Sequence, residues 1–329
     1  MTMRPSLKLD GARLAARPFG QTGLALSPVM LGAAPLGHMP ETFAYAPTED
    51  EALATIRATL TGPFNGIDTA ASYGDGESER RVGLVIRELG GVPEGYLVAT
   101  KADRDLATDD FSGPQMRRSV ERSMALLGLN HLPLVYLHDP EREAFETLTA
   151  PGGAVEVLRD LQREGLIGAL GVAGGPIPEM IRYVETGVFS AIITHNRFTL
   201  LNRTADPLLD LAHARGIAVC NAAPYGSGIL AKGPDAYPRY AYQEAPDEML
   251  DRARALDAAC VRYGVPLAAA ALQFSVRDPR IDVTIVGMTK PERIAETVGL
   301  ATLPIPDALW PELAGIAPDT ADPEAERWG

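Results

Sequence analysis

Apolar positions recur in two rhythms along this chain. Short apolar runs, unbroken by charge, alternate with longer stretches whose apolar residues return every third or fourth position. The first rhythm marks strands buried on both faces, and the second marks helices with one apolar face. The runs at 27–31, 64–68, 96–100, 133–138, 166–172, 188–194, 216–220 and 282–286 predict strands. The helical stretches fall at about 48–60, 76–89, 112–127, 152–164, 177–186, 205–214, 247–262, 266–276, 290–299 and 307–315. Thr48, with Glu51 three residues on, makes a capping box for the first helix, whose stripe is Leu53, Ile56 and Leu60. Ser112 caps the helix carrying Val120, Met124 and Leu127. Ahead of the first strand, residues 17–26 (RPFGQTGLAL) predict a hairpin turning at Gln21, Thr22 and Gly23.

Strand–helix alternation repeated eight times in 329 residues predicts a (β/α)8 barrel. A doubly wound sheet is the alternative, and it would usually show a G-x-G-x-x-G turn after its first strand. Residues 32–37 read GAAPLG, and after Gly74 and Gly76 the third glycine's place holds Glu79. No repeat, charge block or linker divides the chain. The expected organisation is a flexible extension over 1–14, a single barrel domain over 15–316 closed below by the hairpin, and a polar tail over 317–329.

Charge and composition narrow the function. The formal charge of −13 disfavours nucleic acid and anionic membrane surfaces, which are held by Lys and Arg. No apolar run approaches the roughly 20 residues that span a bilayer. The N-terminal segment lacks the apolar core of a secretory signal. Cys220 and Cys260 form neither a disulfide framework nor a zinc pattern, and are expected as reduced core thiols. Cytoplasmic localisation is the expectation.

Candidate chemistry gathers at strand ends. Residues 65–79 (NGIDTAASYGDGESE) run from a strand ending in Asp68 through a small-residue loop bearing Tyr73 into an acid-rich helix start. Lys101 follows the next strand, and His138 closes the one after it. In a parallel barrel these ends share one mouth, where catalytic groups collect. A phenol titrates near 10 and is sluggish at neutral pH. An ammonium beside it is expected to lower that value, and Asp68 would hold the ammonium in place. His138 would orient the oxygen of a carbonyl or alcohol. Such a set serves reversible hydride transfer, with the hydride carried by a cofactor. A metal-dependent hydrolase using His38, His138, His195 and Asp68 is disfavoured, because the first strand has no His-x-His and no ligand cluster is evident, so no metal is expected.

Gly66-Ile-Asp68-Thr-Ala-Ala-Ser-Tyr73-Gly74, with the strand ends Thr-Lys101 and Leu-His138, resembles the aldo-keto reductase superfamily over about residues 15–315. The resemblance implies Tyr73 as general acid/base, Lys101 and Asp68 tuning it, and His138 orienting substrate. It also implies a nicotinamide dinucleotide and a small-molecule substrate as partners. Cofactor contacts carried over from the family's segments are Gly32, Ala33, Ala173, Asn196, Tyr225, Gly226, Ser227, Gly228, Leu230, Gly287, Met288, Thr289, Arg293 and Glu296.

Departures from the family pattern locate a branch. Ala173-Gly174 stands where Ser-Asn often holds the carboxamide. Ala222 replaces an aromatic that often stacks on the nicotinamide, with Tyr225 a possible substitute. The usual Gln falls near His195-Asn196, and the place of a frequent phosphate-binding cation falls near Gly287-Met288, leaving Lys290 and Arg293. The lost cation points to NAD rather than NADP. With residues 194–203 and 221–225, these departures resemble the branch of aldose 1-dehydrogenases and pyridoxal 4-dehydrogenases. The implied reaction oxidises the anomeric hydroxyl of an aldose, such as L-fucose or another D-threo-aldose, to a lactone. The alternatives are pyridoxal oxidation, NADPH-dependent aldehyde or ketone reduction, and a nucleotide-sensing accessory subunit. Tyr225, Tyr237, Tyr240 and Tyr242 are expected to order the long loop rather than stack on a sugar.

Overall fold

Eight short strands pair in parallel and close on themselves in the computed structural model, which describes residues 3–5 and 7–325. The barrel strands are β1 (Val29–Gly32), β2 (Gly66–Asp68), β3 (Leu97–Ala102), β4 (Leu132–His138), β5 (Ile167–Ala173), β6 (Ala191–His195), β7 (Ala218–Ala222) and β8 (Val283–Gly287). Closure is made by β8 against β1, with Thr284 opposite Val29 and Gly287 opposite Gly32. The helices between and after them are α1 (Glu49–Leu60), α2 (Glu77–Glu88), α3 (Gly113–Leu127), α4 (Ala154–Arg163), α5 (Ile177–Glu185), α6 (Asp206–Ala214), α7 (Asp247–Arg262), α8 (Leu267–Val276), α9 (Glu292–Thr302) and α10 (Leu309–Ala314). This is the (β/α)8 barrel that the alternation predicts. Local chemistry starts the helices as expected: the Glu51 amide donates to Thr48 Oγ1 while Glu51 Oε2 accepts from the Thr48 amide.

Two apolar layers follow from the strand register. Residues pointing inward, among them Met30, Leu134, Tyr136, Ile193, Cys220 and Ile285, fill the barrel. Those pointing outward meet the buried stripes of the helices, such as Val155, Leu158 and Leu161 of α4. The hairpin Arg17–Pro18/Ala25–Leu26 plugs the lower end, and Phe19 and Leu26 are fully buried among the interior residues. Its turn requires glycine: Gly20 has φ +50°, and a Cβ there would lie 2.6 Å from the Ala218 amide nitrogen.

Described residues at both chain ends pack against the barrel. Among the described residues before the barrel, Arg4 and the segment 9–14 dock against it. Arg4 Nη1 and Nη2 donate to the carbonyls of Ile281 and Pro279 at 2.6 and 2.7 Å. Leu9–Asp10 pairs with Arg13–Leu14 around Gly11, and Leu14 is buried. Carbonyls at the lower rim need donors, and Arg4 supplies them. At the other end, Asp319 bridges to Asn202, Asp322 holds the buried Arg197, and Glu324 is 0% exposed. Polar residues go inside only when paired, and here the partners wait on the β6–α6 connection. Among the described residues no single helix is long and apolar enough to cross a membrane.

Candidate active site

The upper ends of β2, β3 and β4 bring Asp68, Lys101 and His138 to one mouth, and the loop after β2 adds Tyr73. That loop is held by a close backbone approach. Gly74 has φ +63°, and a Cβ on it would collide with the Gly37 carbonyl. The small residues of the sequence motif therefore let the β1 and β2 loops pack and aim the phenol inward.

Lys101 is 2% exposed and fully bonded. Its Nζ donates to Asp68 Oδ2 at 2.8 Å, to the Thr69 carbonyl at 2.8 Å and to Tyr73 Oη at 3.0 Å. Burial alone would depress its pKa, but the Asp68 carboxylate and the Tyr73 oxygen raise it above the usual lysine value, so the ammonium stays charged. Tyr73 departs from the expectation that Lys101 lowers its pKa. Burial pushes it up to about 12, and the pull of Lys101, partly cancelled by Asp68, does not offset the lost solvation. The free protein thus holds a neutral phenol beside a cation.

His138 stands edge-on to Tyr73, with ring centroids 5.7 Å apart. Its Nδ1 donates to Asp103 Oδ1 at 2.6 Å, and its Nε2 is 3.5 Å from Asp139 Oδ1. Burial works against a charged ring, but the two carboxylates outweigh it and raise the pKa above 6.5. Asp103 is a site residue that the sequence reading missed.

A cleft of about 920 Å³ runs from this mouth to the ends of β7 and β8, within the range for small-molecule and cofactor sites. Its substrate-side walls carry Met39, Phe43, Arg104, Leu106 and Arg142. Of the cofactor contacts expected from sequence, Gly32, Ala173, Tyr225, Ser227, Gly228, Gly287, Met288, Thr289, Arg293 and Glu296 line the cleft. Ala33, Asn196, Gly226 and Leu230 do not. Ala33 and Leu230 belong to the apolar core, and Gly226 is packed under the Tyr240 ring. The Asn196 amide donates to Glu324 Oε1 at 2.6 Å, and its oxygen accepts from Ser227 Oγ. The long-loop tyrosines divide: Tyr240 is buried in the core, whereas Tyr237 and Tyr242 line the cleft. Tyr225 has a buried, unpartnered hydroxyl within electrostatic reach of Glu296 and Arg293. An orphaned polar atom, a row of backbone at Ser227–Gly228 and Gly287–Thr289, and the cations Lys290 and Arg293 fit a dinucleotide laid along the cleft.

Where the family pattern has a Gln, the cleft is lined by His195, whose Nε2 hydrogen-bonds Glu324 Oε2 at 3.0 Å. Burial would raise the Glu324 pKa, but His195, Arg197 and Asn196 hold it down to about 2. Glu324→Gln is expected to destabilise the protein by about 2–3 kcal/mol at neutral pH, since it removes the carboxylate facing Arg197 and leaves Asn196 or His195 short of an acceptor. The sign of the pH dependence follows from the depressed carboxyl: its stabilisation is present at neutral pH and is lost as pH falls from about 5 towards 2. Urea midpoints of wild type and variant should therefore converge in acid. A constant gap across that window would remove Glu324 from the account.

Comparison with known proteins agrees with this geometry. The family model for the aldo/keto reductase family matches residues 28–317. A D-threo-aldose 1-dehydrogenase from a Pseudomonas species is 31% identical, over 89% of this chain and 94% of its own. An L-galactose dehydrogenase from Arabidopsis thaliana is 28% identical over 88% of this chain and 89% of its own, and a pyridoxal 4-dehydrogenase from Microbacterium luteolum is 28% identical over 90% and 96%. Among solved structures, an aldo-keto reductase from Bacillus halodurans in its holo form superposes with a TM-score of 0.76, at 19% identity, over 95% of this chain and 99% of its own. With the barrel, the strand-end tetrad and the family match spanning nearly the whole chain, the protein belongs to the aldo/keto reductase family.

Proposed function

We propose that this enzyme oxidises the anomeric hydroxyl of a D-threo-configured aldose, such as L-fucose, to its lactone, using NAD. Aldo/keto reductases are oxidoreductases that pair a small-molecule substrate with a nicotinamide dinucleotide, and the named relatives that match most of the chain include two sugar dehydrogenases. The observation that carries the reading is Tyr73 Oη bonded to the Lys101 ammonium at 3.0 Å, beside His138 and at the end of a cleft of dinucleotide size. In the oxidation, Tyr73 as phenolate takes the proton of the C1 hydroxyl. The C1–H bond breaks with its electron pair, and the C1–O bond becomes the lactone carbonyl. The nicotinamide, when bound, supplies the acceptor for that hydride. Lys101 keeps the phenolate within reach by charge, and His138 holds the C1 oxygen through a ring nitrogen. Tyr73 starts at about 12, so the oxidation should accelerate as pH rises and more phenolate forms.

Glu296 supports NAD. Arg293 Nη1 donates to both Glu296 oxygens at 2.7 Å, so this guanidinium is already engaged by a carboxylate and offers less to a 2′-phosphate. Initial rates of NAD⁺ and NADP⁺ reduction with L-fucose, D-arabinose, L-galactose, L-glucose, D-glucose and pyridoxal test the reading. Turnover of one D-threo sugar with at least about tenfold preference for NAD⁺ is the expected result. Pyridoxal turnover alone would reassign the substrate through the same hemiacetal-to-lactone step. Silence throughout, with NADPH-dependent aldehyde reduction instead, would overturn both the substrate and the cofactor.

A further inference from the structure

Four groups at the mouth account for the phenol, but the state of the imidazole depends on a fifth. Asp103 follows the last residue of β3, is 4% exposed, and uses every acceptor it has. Its Oδ1 accepts from His138 Nδ1 at 2.6 Å. Its Oδ2 accepts from the amide of Ser72, the residue before Tyr73, at 2.9 Å. The carboxylate is itself fixed from behind: its own amide donates to Ser119 Oγ at 3.0 Å, and Gln115 Nε2 donates to its carbonyl at 3.2 Å. We infer that Asp103 is a positioning residue for the reaction, tying the His138 ring to the loop that carries Tyr73 so that the ring presents a charged Nε2–H to the C1 oxygen of the substrate. This role rests on the hydride-transfer reading above and is indifferent to which aldose is oxidised.

The geometry leads there in steps. An ionised carboxylate only accepts, so Nδ1 must carry a proton. A neutral ring would then leave Nε2 bare, with its lone pair facing Asp139 Oδ1 at 3.5 Å. Protonating Nε2 replaces that repulsion with attraction, and 3.5 Å is long enough to leave the N–H free for a substrate oxygen. The remaining groups around the ring are Ser72, whose Oγ is 3.3 Å from Nδ1, and Tyr73, Lys101 and Asp68 across the mouth. Lys101 opposes the charge on the ring but is paired with Asp68, so the two flanking carboxylates decide the sign. Asp103 stays ionised throughout, since His138, the Ser72 amide and Lys101 outweigh the effect of its burial. A charged N–H polarises the carbonyl in reduction.

The test is ¹⁵N NMR of the imidazoles in the full-length protein, with the His138 signal identified by its disappearance in His138→Asn. Wild-type His138, with a carboxylate at each ring nitrogen, is expected to be protonated on both nitrogens at neutral pH and to titrate above the ordinary histidine value. In Asp103→Asn the amide oxygen must keep the Ser72 N–H, so its NH₂ faces Nδ1 and the ring becomes neutral with its proton on Nε2. Carbonyl reduction by wild type should fall as pH rises through the His138 titration, and that limb should move to lower pH in the variant. The variant's kcat should drop about 10- to 100-fold with cofactor affinity unchanged. A wild-type ring that is neutral at pH 7, or a variant ring titrating as in wild type, overturns the role. The wild-type titration decides even where the variant does not fold. The NMR readout needs no substrate, so its failure is distinct from failure of the sugar panel.

Discussion

Tyr73→Phe is expected to lower kcat by about 10²- to 10⁴-fold, the range for loss of a positioned acid–base group. The substitution removes one oxygen and little else. The ring stays packed edge-on against His138 at 5.7 Å and beneath the Lys101 ammonium at 4.5 Å. Lys101 keeps two of its three acceptors, Asp68 and the Thr69 carbonyl, each at 2.8 Å, so the ion pair survives. Stability should change by no more than about 1 kcal/mol, one net hydrogen bond. Cofactor affinity should hold, since only the phenol oxygen is removed and the cleft lining beyond it is untouched. The pH dependence gives a second readout. Burial holds the phenol at about 12, so the wild-type oxidation gains phenolate with each unit of rising pH, and the variant should lose that slope. Steady-state rates across neutral and alkaline pH, with cofactor binding followed by fluorescence, check both. A variant within tenfold of wild type and retaining the slope would take the proton transfer away from Tyr73.

What the sequence disclosed depended on whether the relevant partners were near in the chain. The Thr48–Glu51 capping box, the alternation of strand and helix, and the acid–loop–phenol run at 65–79 are local patterns, and the structure contains each of them. Asp103 was invisible for the opposite reason. It is one of four aspartates between 103 and 110, and Asp105, Asp109 and Asp110 bond within their own loop or to nearby Arg118. Its partners Ser72 and His138 lie 31 and 35 residues away. Glu324 sits in the polar tail, and its partner Asn196 is 128 residues back. Segment likeness picked out residues that line the cleft, but it did not say which side chains turn into it. Ala33 and Leu230 fall on the core side of their turns. The raised Tyr73 pKa is a burial effect, and burial at a strand-end mouth is set by the whole barrel rather than by the loop's own residues.

Lys101→Met should injure stability and catalysis by separable routes. The side chain is 2% exposed, so a thioether of similar length fills its space, while Asp68 loses its counter-charge in a buried position. Removing one member of a buried pair costs about 3–5 kcal/mol, most of it the stranded charge. Without Lys101, burial drives the Asp68 carboxyl well above its unfolded value. A raised carboxyl pKa makes the folded state prefer the proton. The variant's deficit should therefore be small in acid and grow as pH rises through the new Asp68 value. Adding Asp68→Asn removes the stranded charge, so the double variant should recover most of the lost stability at neutral pH and lose the pH dependence. Catalysis should not recover. The phenol would have neither the ammonium that favours its ionised form nor the donor at 3.0 Å that aims it, and the oxidation should remain about 10²- to 10³-fold down. Urea unfolding between mildly acidic and neutral pH, set against kcat for the same three proteins, distinguishes the two routes. Lys101 acts on the phenol only if stability returns in the double variant and activity does not. If both return together, its part is to neutralise Asp68, and Tyr73 must draw its reactivity from elsewhere in the mouth.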